Sequence, residues 1–153
     1  MIDYRKANIN DIDDLVKLRI EFLREVGNLE SSEKDIILER SLYDYFNEAI
    51  TRDEFAAWLA LDSDRIVATS GLSFYIVPPS FKNMSGKVAY IMNMYTISDY
   101  RRQGIAAKIF EKTIKEAKDR GYNRITLSAT EQGKPLYEKF GFKELNKDME
   151  LNL

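Results

Sequence analysis

The chain contains no cysteine and no histidine. The first absence excludes disulfides, thiolate metal sites and a cysteine nucleophile. The second removes the commonest general base and metal ligand, so neither a Ser-His-Asp triad nor an imidazole zinc site can be built. No run approaches the ~20 apolar residues that span a bilayer. The opening residues MIDYRKANIN lack the apolar stretch of a secretion signal. The expectation is a cytoplasmic protein with no membrane partner. A net charge of −2 speaks against a nucleic-acid binder. Internal repeats, low-complexity segments and linkers are also missing, so the 153 residues read as one domain, 1–153, with a core of its own.

Charge is unevenly spread. Residues 1–77 hold nine Lys/Arg against sixteen Asp/Glu, and residues 78–153 hold fourteen against nine. Such a split suits an anionic ligand on the C-terminal half and a cationic one near the N-terminal half.

Periodicity supplies the elements. Residues 2–5 form a short strand. Asn10 is the expected cap of a helix whose first turn carries Asp11, Asp13 and Asp14, where the dipole favours negative charge. Ile12, Leu15, Val16, Arg19, Phe22, Leu23 and Val26 keep helical spacing, and Gly27 is the expected stop. A second helix begins after Ser32, with Asp35 three residues on, and continues through Leu38, Leu42, Phe46 and Ala49. Residues 55–77 read as a β-hairpin turning at Asp62, Ser63 and Asp64. The run VAYIMNMYTI is another strand. A helix follows with Ile105, Ala106, Ile109, Phe110, Ile114 and Ala117 on one face, closed by Arg120 and Gly121. RITLSA is a buried-type strand, KPLYEKF a short helix with Pro135 in its first turn, and residues 149–151 a last strand. The order is β-α-α-β-β-β-α-β-α-β, an α/β (α+β) chain.

One stretch carries chemistry. In SDYRRQGIAAKIF, cationic and donor side chains surround Gly104 where a helix begins. A helix start exposes backbone N–H groups without intrahelical partners, at the positive end of the dipole. Gly104 lets a ligand approach the backbone closely, Ala106 keeps the turn narrow, and Arg101, Arg102 and Gln103 add charge and a donor. The place suits a pyrophosphate. It is neither a Walker loop, which needs Lys-Ser/Thr after its last glycine, nor a three-glycine dinucleotide fingerprint.

The hexapeptide RRQGIA resembles the Arg/Gln-x-x-Gly-x-Gly/Ala signature of the GNAT superfamily of N-acetyltransferases. MNMYTISDY is similar to that family's fourth strand, and PLYEKFGF to its tyrosine-bearing helix and following strand. The resemblance covers the whole chain in element order and is specific over residues 88–142. It implies a mixed, mostly antiparallel central sheet with helices on both faces, splayed near Tyr95, and acetyl-CoA as cosubstrate. Its pyrophosphate would lie on Arg102, Gln103, Gly104, Ile105 and Ala106, with Arg101 shaping or charging the loop. Main-chain groups of Met94, Tyr95 and Thr96 would meet the pantetheine arm and the thioester carbonyl. Tyr137 matches the tyrosine that protonates the departing thiolate.

Three positions depart from the family pattern. Thr130 stands where many members have an asparagine that contacts the CoA arm. Gly133 stands where many have alanine. The segment Tyr90, Ile91, Met92, Asn93 offers no strong base, which leaves water, Glu21 or Glu25. The resemblance implies acetyl transfer to a primary amine of a small molecule by direct attack, which needs no enzyme nucleophile. Acetylation of a protein lysine or N-terminus, and a non-catalytic acyl-CoA-binding module, are the alternatives. Substrate choice would fall to the first two helices, an acidic and aromatic region with Tyr43, Tyr45 and Phe46, suited to a cationic amine. An exposed strand edge leaves a homodimer open.

Overall fold

The computed structural model describes residues 1–145 and 147–153. The chain runs β1 (Ile2–Lys6), α1 (Ile12–Gly27), α2 (Lys34–Thr51), β2 (Phe55–Asp62), β3 (Arg65–Ile76), β4 (Lys87–Thr96), α3 (Ile105–Asp119), β5 (Arg124–Leu127) and α4 (Lys134–Lys139). The five strands form one sheet in the order β1-β2-β3-β4-β5. The first four are antiparallel neighbours, and β5 joins β4 in parallel. That parallel step needs a crossover, which α3 supplies.

The alternation of a strand sorts the side chains to two faces. Phe55, Ala57, Leu59 and Leu61 of β2 meet Leu15, Val16 and Ile20 of α1 and Phe46 and Ala49 of α2. On the other face Leu72, Phe74, Ala89 and Ile91 meet Phe110 and Ala117 of α3 and Tyr137 of α4. Helices therefore cover both faces of a mostly antiparallel sheet, as the resemblance implies.

The start of α1 differs from the sequence expectation. Asn8, not Asn10, is the cap: its side chain accepts from Asn10 N at 2.8 Å, and Asp11 reaches back to the Asn8 N–H at 2.8 Å. One 3₁₀ turn (Ile9–Asp11) thus precedes the helix. Asp11 is 6% exposed and takes both Arg5 Nη1 and Nη2, at 2.8 and 2.9 Å. That fork holds its carboxyl below the usual carboxylate range, more than burial raises it. At the far end Gly27 is the last helical residue, and Asn28 takes the left-handed conformation instead (φ 49°).

The expected strand at 149–151 does not form. Met149, Leu151 and Leu153 alternate as a strand would, yet all three are exposed. β5 contributes four residues and, among the described residues, pairs only with β4, so this alternating segment is not joined to a neighbouring strand that would satisfy its backbone.

Candidate active site

A single 3₁₀ turn (Ser98–Tyr100) leads from β4 toward α3. Arg101 then points inward. Its Nε donates to Thr96 O at 2.8 Å, its Nη2 to Glu25 Oε2 at 2.9 Å, and its guanidinium lies 5.6 Å from the centre of the Tyr95 ring. Arg101 therefore ties the turn to β4 and α1 from behind. Arg102 is exposed and, among the described residues, makes no hydrogen bond or ion pair. Gln103 Nε2 donates back to Asp99 O at 3.2 Å. Arg102 and Gly104 both stand in the left-handed region, with φ of 61° and 78°.

The donors at this turn are free. Among the described residues the N–H groups of residues 102–107 meet no backbone acceptor, and the first bond into the helix runs from Lys108 N to Gly104 O at 3.2 Å. Ile105 is buried and anchors the helix start, while Ala106 is half-buried. A Cβ built on Gly104 would meet nothing within 4 Å. The surface above the turn is therefore open, and the positive φ is what selects glycine. A row of unpaired donors at the positive end of a helix dipole takes an anion of pyrophosphate type.

Beside the turn the sheet opens. β4 and β5 pair only from Val88↔Arg124 to Ile91↔Leu127. Beyond that, among the described residues, β4 keeps β3 on one side and has no strand on the other. Its register against β3 slips where Gly71 faces Met92 and Thr69 faces Tyr95. Asn93, with φ 55°, is the extra residue of this bulge, which increases local twist. Met94 packs toward α3 with Tyr137. Tyr95 faces α1, 6.0 Å from the Phe22 ring. Burial, then the neighbouring Glu25 carboxylate, pushes the Tyr95 phenol up to about 12. Among the described residues the edge along 92–95 has no strand on this side and leaves main-chain groups available to an extended ligand, while Thr96 O is taken by Arg101 Nε.

Thr130 and Tyr137 close the far side. The Thr130 hydroxyl accepts from Gly133 N at 3.1 Å, and Thr130 O accepts from Lys134 N at 3.0 Å. Thr130 thus starts α4, and its hydroxyl is already engaged. The Tyr137 ring is buried, 5.1 Å from Phe110 and 6.3 Å from Phe142. Among the described residues its hydroxyl has no hydrogen bond. A Cβ at Gly133 would stand 2.9 Å from that hydroxyl oxygen, so the glycine permits this close approach. Burial raises the Tyr137 pKa, which keeps the phenol protonated. The same residue fills the core with its ring and retains an uncommitted donor at its tip.

The acidic lining expected for a cationic amine is not what the opening presents next to Asn93. The charged side chain there is Arg19, whose Nη1 donates to Asn93 Oδ1 at 3.0 Å. Glu21 and Glu25 act further along, on Tyr95, and Glu25 is held by Arg101. Of the three aromatics expected at a substrate groove, Phe46 is fully buried. Tyr45 stacks edge-on against Phe46 and Phe55, and Tyr43 is exposed. Arg19 and Asn93 escape a motif search because neither belongs to one. The available signal is Arg19 itself, a cation inside the apolar stripe of α1.

Free donors for a pyrophosphate and an open strand edge for an extended arm, in one gap of a mixed sheet, are what a CoA thioester asks of a protein. They define an acyl-CoA-binding architecture. Residues 23–142 match the model of the acetyltransferase (GNAT) family, and the chain belongs to that family. It is 28% identical over 100 residues to an uncharacterised N-acetyltransferase of Bacillus subtilis, YsnE. That match covers 62% of this chain and 60% of the relative, so the chain spans about three fifths of that protein's length. It is 35% identical to a predicted acetyltransferase of Clostridium acetobutylicum whose crystal structure was determined with acetyl-CoA. There the TM-score is 0.91, over 99% of this chain and 96% of the other. A GCN5-related N-acetyltransferase of Ralstonia eutropha has the same fold, with a TM-score of 0.89 at 22% identity over 99% of each chain. No helix among the described residues is long and apolar enough to cross a membrane.

Proposed function

We propose that the protein is an acetyl-CoA-dependent N-acetyltransferase that acetylates a primary amine of a small molecule by direct attack in a ternary complex. The observation that carries this reading is the row of unbonded N–H groups at 102–107 beneath open space at Gly104. The relative crystallised with acetyl-CoA, at 35% identity over nearly the whole chain, supports it.

In this reading acetyl-CoA supplies an acyl thioester open to attack by an amine. The N–H groups of Arg102, Gln103, Gly104, Ile105 and Ala106 hold the pyrophosphate, with the free Arg102 side chain adding charge. The open edge at Met94, Tyr95 and Thr96 binds the pantetheine arm. A backbone N–H of that edge, aimed at the thioester oxygen, stabilises the charge that develops there. Holding amine and thioester together replaces a nucleophile, consistent with a chain that has neither cysteine nor histidine. The attacking amine forms the C–N bond and sheds its proton to water, the C–S bond breaks, and Tyr137 gives its proton to the departing thiolate. Arg101 and Thr130 support the loop and α4 and do not touch the ligand directly. The uncommitted Tyr137 hydroxyl favours catalysis over a binding module.

The test is release of free thiol from acetyl-CoA against polyamines, aminoglycosides, amino acids and short peptides. Turnover with a free amine supports the reading. Turnover with peptides alone would move the protein to the protein acetyltransferases. Tight acetyl-CoA binding with no turnover on any amine would make it a binding module.

A further inference from the structure

Two features of the chain, each incomplete alone, complement one another. The first is the outer edge of β5. Among the described residues β5 pairs with β4 on one side and with no strand on the other. Its apolar side chains, Ile125 and Leu127, lie against the core of Phe110 and Tyr137 yet stay half-buried. Their partners on β4, Ala89 and Ile91, are 0% and 3% exposed. That core is therefore left partly uncovered at the sheet edge, and an unpaired edge is a template for another strand.

The second feature is the segment 147–153. Met149, Leu151 and Leu153 alternate with Asp148, Glu150 and Asn152, which is the pattern of a strand with one apolar face. All of these residues are exposed, Met149 at 99% and Leu151 at 81%. Among the described residues the segment makes no backbone hydrogen bond to the rest of the chain. The chain just before it is fixed on α4: Phe142 N donates to Tyr137 O at 3.1 Å, and Lys134 pairs with Glu144. The apolar face thus meets no core within its own molecule.

We propose that two copies of this chain exchange these segments, residues 148–152 of each adding as an antiparallel strand to the outer edge of β5 in the other. The pattern sets the register. With Leu127 opposite Met149 and Ile125 opposite Leu151, both apolar pairs fall on the core face. The intervening positions fall on the other face, with Thr126 opposite Glu150 and Arg124 diagonal to it. Arg124 is exposed and, among the described residues, enters no ion pair. Glu150 supplies the opposite charge within reach of a long side chain. A shift of two residues one way sets Lys147 against Leu127, and the other way takes Glu150 away from Arg124. Because the exchange is reciprocal, one two-fold axis covers both edges and leaves neither open.

A chain without cysteine allows a direct test by cross-linking. Thr126→Cys/Glu150→Cys sets one thiol on each strand at opposed positions, where Cα separations of about 4.5–5.5 Å suit a disulfide. Mild oxidation of the full chain should give a covalent dimer on a non-reducing gel, returned to single chains by reductant. The displaced pair Thr126→Cys/Asn152→Cys should cross-link far less. The wild type should sediment as a dimer at micromolar concentration. Leu151→Asp should sediment as a monomer with an unchanged circular dichroism spectrum, since Leu151 is exposed in its own chain. A disulfide closed within one chain would put the strand on its own β5 and overturn the exchange. So would a double variant that does not cross-link, a monomeric wild type, or a dimer that survives Leu151→Asp.

Discussion

In the proposed mechanism Tyr137 joins packing and chemistry in one side chain. Its ring belongs to the aromatic cluster of Phe110 and Phe142, and its hydroxyl is bonded to nothing among the described residues. Tyr137→Phe therefore keeps the packing and removes only the donor. Stability should change by less than about 1 kcal/mol, since no hydrogen bond is lost, and acetyl-CoA affinity should hold. A positioned acid contributes roughly 10²–10⁴-fold. Because a thiolate leaves readily, the expected loss in kcat is near the low end, about 10²-fold. Burial raises the phenol pKa, so the protonated, donating form persists past pH ~10. Any alkaline limb that Tyr137 causes should therefore lie above that point and be absent in Tyr137→Phe. A kcat that drops less than about threefold, with chemistry rate-limiting, would refute the acid role.

Each element shows why some of this was legible in the sequence and some was not. The start of α3 is local: a glycine, an apolar stripe and a basic turn lie within a dozen residues, so its boundary and its row of unbonded N–H groups could be read directly. The hairpin β2–β3 and the closure of α3 at Arg120 and Gly121 were legible for the same reason. The bulge at Asn93 was not, because it is a slip between two strands and the sequence of β4 alone keeps running. Arg19 keeps the helical spacing of α1, and its bond to Asn93, 74 positions away, appears only in the folded chain. The alternation at Met149, Leu151 and Leu153 misled for the opposite reason, since a period of two needs a neighbour that the chain does not provide. The start of α1 shows how the element carries its site. Arg5 and the Asn8 N–H both bind Asp11, and this clamp sets the helix that bears Arg19. Asp11→Asn should cost about 1–3 kcal/mol. Because the native carboxyl lies below its unfolded value, its contribution is present above about pH 4 and is lost as pH falls through the folded pKa. The variant should therefore show a flatter acid limb when Tm is followed from pH 6 to pH 2, and an equally steep limb would contradict the clamp.

Across the whole molecule, two halves of opposite charge enclose one opening. The C-terminal half brings the basic turn and the helix dipole of α3, and the N-terminal half brings α1 and α2. In the proposed function the ligand's anionic tail and its reacting end meet different parts of the chain, with the edge of β4 between them. The central claim is that acetyl-CoA fills this path from the turn to the strand. Amide hydrogen exchange with and without acetyl-CoA tests it most directly, because the N–H groups at 102–107 are unbonded in the free protein and exchange without waiting for unfolding. The account predicts that acetyl-CoA slows exchange strongly at residues 102–107 and along 92–96, and little on the outer faces of α2 and β1. Saturating acetyl-CoA that left residues 102–107 exchanging as in the free protein would contradict it.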